Sequence, residues 1–215
     1  VSHELRTPLT VIHGYLDMIE PEDHPAIAPM VEEMQRQSRR MAQVVEDLLT
    51  LSRLDATEAA VDEPVGMSAM MATLKREAEA LSKGQHAVIV DVDCPHDLLG
   101  SMKDLHSTFS NLIANAVRYT APGGRIRISW TCEGAGACFS VADSGFGIPA
   151  EHLPRLTERF YRVSTSRSRE KGGTGLGLSI VKHVLNLHEA HLTITSEVGV
   201  GSTFACHFPE SRLRR

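Results

Sequence analysis

Partway along this chain the spacing of its apolar residues changes from helical to mixed, which rules out one uniform architecture. Up to about residue 57 the apolar positions keep steps of three and four. Val1, Leu5, Leu9, Ile12, Leu16 and Ile19 make one stripe, and Ile27, Met30, Met34, Met41, Val45, Leu48 and Leu51 make a second. Pro21 and Pro25 interrupt the pattern between them and mark a turn. Two helices joined by a short loop form an antiparallel hairpin. A lone hairpin leaves such broad stripes partly wet, so packing alone predicts a homodimer in which two hairpins complete a four-helix bundle.

Over residues 56–66 the pattern lapses into Ala, Asp, Glu, Pro and Gly, which reads as a linker and hinge. Beyond it helices and strands alternate. Helices are expected over 68–81, 101–119 and 178–187, the second opened by a capping box from Ser101 to Asp104. Strands are expected over 86–92, 125–132 and 137–142, and a hairpin pairs 192–195 with 202–208 around Gly199. The overall class is α+β: a helical hairpin followed by a layered α/β domain with helices on one face of a sheet. The expected units are 1–57, a linker over 58–66, and 67–215.

Composition narrows the partners. A length of 215 residues is about one and a half typical domains. Lys and Arg number 22 against 27 Asp and Glu, a net charge of −5, which argues against a general nucleic-acid or membrane-surface binder. No apolar run is long enough to span a bilayer, and no signal peptide is visible. Cys94, Cys132, Cys138 and Cys206 lack CxxC spacing, so all are expected as reduced, small core thiols. The start at Val1, already in a helical pattern, reads as a piece of a longer chain.

Chemistry is concentrated in a few short runs. In Ser2-His3-Glu4-Leu5-Arg6-Thr7-Pro8, His3 lies off the apolar stripe and Thr7 stands one helical turn above it. A neutral imidazole nitrogen is a competent nucleophile, and Glu4 can take its other proton. The helix ending at Tyr119 carries Asn111, Asn115 and Arg118 along one polar stripe. Amide oxygens suit Mg²⁺, and a guanidinium suits phosphate oxygens. Asp143-Ser144-Gly145-Phe146-Gly147 follows a strand, where the Asp can accept a hydrogen bond from an exocyclic amine and the glycines admit a ligand close to the backbone. Gly172-Gly173-Thr174-Gly175-Leu176-Gly177 runs into a helix whose N-terminus favours phosphates, with neither the Rossmann nor the P-loop pattern. The basic, Ser-rich run from Glu158 to Lys171 between these motifs reads as a mobile flap. The spacing of His183, His188 and His191 does not match a zinc-binding helix.

Taken in order, these motifs resemble those of the sensor histidine kinases of two-component signalling, most of all the phosphate-regulon branch. The resemblance implies a dimeric hairpin joined to the GHKL (Bergerat) ATP-binding sandwich shared with Hsp90, MutL and gyrase. It implies that His3 is autophosphorylated with Glu4 as general base, that Thr7 orients water in dephosphorylating a response regulator, and that Arg162 assists phosphoryl transfer. Asn115 would hold Mg²⁺ with Asn111 beside it, and Arg118 and Tyr119 would approach the phosphates of ATP. Asp143 would read the adenine amine. Gly145, Gly147, Lys171, Gly173, Thr174, Gly175, Leu176 and Gly177 would shape the nucleotide pocket and its flap. The implied partners are a second copy of this chain and a response regulator whose receiver-domain aspartate is phosphorylated, in this branch one of the PhoB kind. The implied location is cytoplasmic, in a protein anchored in the bacterial inner membrane, with no direct membrane or nucleic-acid contact from this segment. Two other readings fit fewer of the motifs: a GHKL ATPase machine without a phosphohistidine, and an inactive scaffold that only binds a response regulator.

Overall fold

The computed structural model describes residues 2–20, 26–57, 61–163 and 173–214, with only the backbone for 2–6. Helices α1 (Ser2–Asp17) and α2 (Ala28–Asp55) form the hairpin. Pro8 lies inside α1, and Pro29 sits in the first turn of α2, where a missing N–H costs nothing. Leu16 and Val31 are buried between the two helices. Much of the remaining stripes stays exposed, including Ile12 (47%), Ile27 (45%), Met30 (65%) and Met34 (52%), and Tyr15 and Met18 beside them are exposed as well. So large an apolar surface on one hairpin is the physical basis for expecting a second one against it.

The second unit is built on a five-stranded sheet in the order β2-β4-β5-β7-β6, from β2 (Ala87–Val92), β4 (Arg125–Glu133), β5 (Gly136–Asp143), β6 (His191–Glu197) and β7 (Gly201–Phe208). β2 and β4 are parallel and the other neighbours antiparallel. Helices α3 (Met67–Ser82), α4 (Met102–Tyr119) and α5 (Gly177–Leu187) cover one face. Alternate residues of β4, namely Ile126, Ile128 and Trp130, point into that layer and are fully buried. There Phe109 of α4 stacks on Phe139 of β5 at 3.8 Å, and Phe208 meets both Phe109 and Trp130 edge-on. The α/β sandwich is as expected, and Ser101 Oγ accepts the N–H of Asp104 at the start of α4.

Two features differ from the sequence reading. A small second sheet, β1-β3-β8, joins β1 (Pro64–Val65), β3 (Asp97–Leu99) and β8 (Leu213–Arg214). It draws Val65, within the expected linker, into the main core with no exposure at all. Two of the four cysteines also depart from expectation. Cys94 and Cys132 are joined by a disulfide, while Cys138 and Cys206 are buried free thiols. The physical reason is register: β2 and β4 run parallel with Val92 opposite Trp130, which brings the two sulfurs together from positions 38 residues apart.

Candidate nucleotide and phosphotransfer site

β5 delivers Asp143 to the rim of the sheet, and the turn after it is fastened on several sides. The Asp143 carboxylate accepts the N–H of Gly145 at 2.8 Å. Phe146 N–H donates to the carbonyl of Tyr119 at the end of α4. Ile148 N–H donates to Ser196 Oγ at 2.8 Å, and Gly199 N–H to the Phe146 carbonyl at 2.9 Å. At Gly145 any Cβ would stand 2.4 Å from the Tyr119 carbonyl oxygen, so only glycine lets the turn close on α4. Burial pushes the Asp143 carboxyl up from its ordinary value, against hydrogen bonds from the backbone of Gly145 and Ser202 that pull it down. A desolvated carboxylate at a strand end is a strong acceptor for a ligand N–H.

The polar stripe of α4 faces the second glycine loop. Asn111 Oδ1 lies 3.3 Å from where a Cβ of Gly177 would be, and Arg118 Nη1 lies 3.0 Å from that position on Gly173. Asn115 falls between them on the same side by helical spacing, and all three are half-buried. Amide oxygens and a guanidinium thus border the N-terminus of α5, where unpaired N–H groups and the helix dipole favour anions. That donor set, hard oxygen beside positive charge, fits a magnesium-bound polyphosphate.

The segment after the first turn folds back on the second loop. Phe160 N–H donates to the carbonyl of Gly175 at 2.9 Å, with both residues at positive φ, 63° and 75°. Tyr161 Oη and His152 Nδ1 lie 2.6 Å apart, and the Arg155 guanidinium sits 4.4 Å over the Tyr161 ring. The described end of the expected flap is therefore anchored. Half-buried Arg162 follows directly, at the edge of the described stretch.

Not every expected residue gathers here. Leu176 is fully buried against Leu51 and Leu54 of α2 and Ile180 and Val184 of α5. Thr174 Oγ1 donates to Asp47 of α2 at 2.7 Å and accepts the Leu176 N–H. Both side chains, expected at the nucleotide, instead serve the contact with the hairpin, because the loop's outer face packs on α2. Lys171, Gly172 and the rest of the flap lie outside the described residues, as do the side chains of His3 and Glu4; the backbone places both in the first turn of α1. Thr7 is exposed on that helix. Sequence reasoning missed Asp47 and Ser196, which act through tertiary contacts that no local motif announces. A depression of about 320 Å³ lined by Glu133, His191 and His207 lies at the opposite end of β5 and β7 from Asp143, apart from this constellation.

Buried acceptor, glycine turns, amide stripe and helix N-terminus together define a nucleotide-binding sandwich set on a helical hairpin. Residues 100–212 match the family model of the histidine kinase-, DNA gyrase B- and HSP90-like ATPases, and residues 1–57 match the His Kinase A phospho-acceptor domain. The chain belongs to the sensor histidine kinases. It is 50% identical over 218 residues to the phosphate regulon sensor protein PhoR of Pseudomonas aeruginosa, covering 99% of this chain and 49% of that protein. To the PhoR of Haemophilus influenzae it is 38% identical, covering 98% and 50%. The chain thus spans about half the length of these relatives. Among solved structures, full-length ShkA in complex with AMPPNP superposes with a TM-score of 0.75 at 25% identity, covering 97% of this chain and 44% of that one. The histidine kinase AdeS of Acinetobacter baumannii shares the fold, with a TM-score of 0.69 at 22% identity over 98% of both chains. Among the described residues no helix is long and apolar enough to cross a membrane.

Proposed function

We propose that this chain is the catalytic core of a phosphate-regulon sensor kinase, which phosphorylates itself on His3 and passes the phosphoryl group to an aspartate of a response regulator. The observation that carries the reading is the convergence of Asp143, Gly145 and the α4 stripe on one rim, ahead of which stands a phospho-acceptor helix. The proposed division is a hairpin over 1–57, a connector over 58–66 and an ATP-binding unit over 67–215. Magnesium-bound ATP supplies the phosphoryl group and much of the charge neutralisation that the transfer needs. In this reading Asn115 holds the metal with Asn111 beside it, and Arg118, Tyr119 and Lys171 meet the phosphates. Asp143 accepts the adenine amine, and Gly147, Gly173, Gly175 and Gly177 leave room for backbone to approach. The AMPPNP complex of the structurally similar ShkA supports nucleotide use at this fold.

His3 takes the phosphoryl group on a ring nitrogen while Glu4 accepts the proton from the other, and Arg162 steadies the charge in transit. The phosphorus–nitrogen bond then breaks as the aspartate oxygen of the regulator attacks. The phosphate-regulon relatives favour a regulator of the PhoB kind. Thr7, exposed one turn from His3, orients the water that later hydrolyses the phosphoaspartate. The exposed apolar residues Tyr15, Met18, Met30 and Met34 support a homodimer, and the similarity to phosphate regulon sensor proteins supports an anchored whole protein with this core on the cytoplasmic side.

The deciding experiment incubates the chain with γ-labelled ATP and Mg²⁺ beside its His3→Ala variant. Acid-labile, base-stable label that vanishes in the variant is the expected result. Equal ATP turnover in both with no labelled protein would establish the GHKL machine instead, and no nucleotide binding at all would leave the scaffold.

A further inference from the structure

We propose that Cys94 and Cys132 form a reversible thiol–disulfide exchange site, whose substrate is a small disulfide of the glutathione class and whose activating base is His96. The three residues are brought together and held by the core. Cys94 and Cys132 are bonded with their Cα atoms 4.8 Å apart. A ring nitrogen of His96 lies within 4.8 Å of both sulfurs. Trp130, fully buried, fixes the group from beneath: its carbonyl accepts the N–H of Asp93 at 2.9 Å and of Cys94 at 3.3 Å, and its indole N–H donates to the His96 carbonyl at 3.1 Å.

Access divides the two sulfurs into distinct roles. Cys132 is exposed, whereas Cys94 is 3% exposed, so only Cys132 can meet a molecule from solution. An imidazole beside an accessible thiol raises its thiolate fraction, the form that reacts. Cys138 and Cys206 show the contrast, since both are buried free thiols and burial pushes the Cys138 thiol up to about 12. In the reduced protein His96 accepts the Cys132 proton, and the thiolate attacks one sulfur of the small disulfide. That S–S bond breaks, and one small thiolate leaves. Cys94, giving its proton to that leaving thiolate, attacks the Cys132 sulfur of the mixed disulfide. The second small thiolate departs and takes the proton held on His96. Two electrons have passed from the cysteine pair to the small disulfide, which becomes two thiols; excess small thiol reverses each step.

The consequence falls on α4. The covalent loop closed between residues 94 and 132 contains the whole of Met102–Tyr119, and with it Asn111, Asn115 and Arg118. Oxidation therefore restrains that helix from outside the candidate nucleotide site. The site stands on the placement and exposure of Cys94, His96 and Cys132, and its test needs no nucleotide, so it is independent of the functional reading above.

The whole chain is equilibrated in glutathione buffers of rising oxidised fraction, quenched with an alkylating agent and peptide-mapped. A Cys94–Cys132 linked peptide should appear and disappear reversibly, with Cys138 and Cys206 alkylated only after denaturation. The oxidised form should melt about 5–15 °C above the reduced one, a shift absent from the Cys94→Ser/Cys132→Ser double variant. Cys94→Ser alone should stall as a glutathione adduct on Cys132, and His96→Ala should slow oxidation several-fold. No linked peptide at any ratio, or adducts forming equally fast on Cys138, would overturn the proposal. So would stoichiometric Zn²⁺ uptake by the reduced protein that blocks the linkage until a chelator is added, because the three residues would then be a metal site.

Discussion

Asp143 illustrates how a single residue can be set against the stability of its own fold. Its carboxyl is raised above the ordinary value of 3.8 by burial. The folded state therefore holds the proton more tightly than the unfolded one, so stability is fully present below 3.8 and is lost as pH rises through the folded value. Forming the charge in this buried place costs stability, which a ligand N–H would offset. Asp143→Asn should accordingly melt no lower than wild type at pH 7, and should lack the wild type's fall in stability just above pH 4, while binding ATP at least about tenfold more weakly. Thermal melts across pH, with titration of a fluorescent nucleotide, check both halves; a variant that binds normally would remove Asp143 from the site. Gly145 constrains the same turn sterically. Gly145→Ala puts a methyl 2.4 Å from the Tyr119 carbonyl oxygen, where both sides are backbone and cannot rotate away. The expected cost is about 1–3 kcal/mol, read by urea unfolding, and a neutral result would mean that the turn moves freely from α4.

At the scale of elements, His188 joins the end of α5 to the start of α4. Its Nδ1 lies 2.7 Å from the Val184 carbonyl, so that nitrogen carries the proton, and its Nε2 accepts the N–H of Ser101, the cap residue of α4. Burial lowers its pKa below 6.5, with the Val184 bond working in the other direction. The unfolded chain thus binds a proton that the folded one refuses, and stability declines as pH falls from 6.5 toward the folded value. His188→Leu should remove that part of the decline while costing about 1–3 kcal/mol at pH 8, because the half-buried Ser101 N–H loses its partner. Urea unfolding at several pH values checks it; an unchanged slope would assign the decline to another group. The helices and main strands joined by such contacts were legible in the sequence, because each runs long enough to show its period, and Ser101 and Asp104 announce the start of α4. The small sheet was not legible, since Pro64–Val65 and Leu213–Arg214 are too short to have a period. Asp143, Gly145 and the α4 stripe could be read from local motifs. Neither the disulfide nor the outward turn of Thr174 and Leu176 could, because both depend on which elements lie side by side.

Across the whole molecule, the hairpin and the nucleotide-binding unit meet on one apolar seam. Leu51 and Leu54 of α2 pack with Leu176, Ile180 and Val184, all at most 2% exposed. Polar contacts ring the seam: Thr174 to Asp47, Arg159 to both oxygens of Asp55 at 3.0 Å, His183 to the same carboxylate, and Arg53 to Asp104. Burial raises the Asp104 carboxyl, but bonds from Arg53 and Ser101 outweigh it and hold the group below 3.8, so this contact is lost only as pH falls through that lowered value. The exposed ion pairs contribute little by themselves, and the leucines supply most of the attraction. Because Thr174 and Leu176 belong to the loop that borders the α4 stripe, docking on α2 holds that loop in one position, and in the proposed transfer to His3 the unit would leave it. Leu54→Ala should weaken the seam by about 2–4 kcal/mol without opening the main core, since Leu54 belongs to the separate seam cluster. Hydrogen exchange should then quicken over 173–187 while the strands β4 and β5 keep wild-type protection. Labelling from ATP should speed up if docking restrains the unit. Faster exchange with an unchanged or slower rate of labelling would show instead that the seam is part of the productive arrangement.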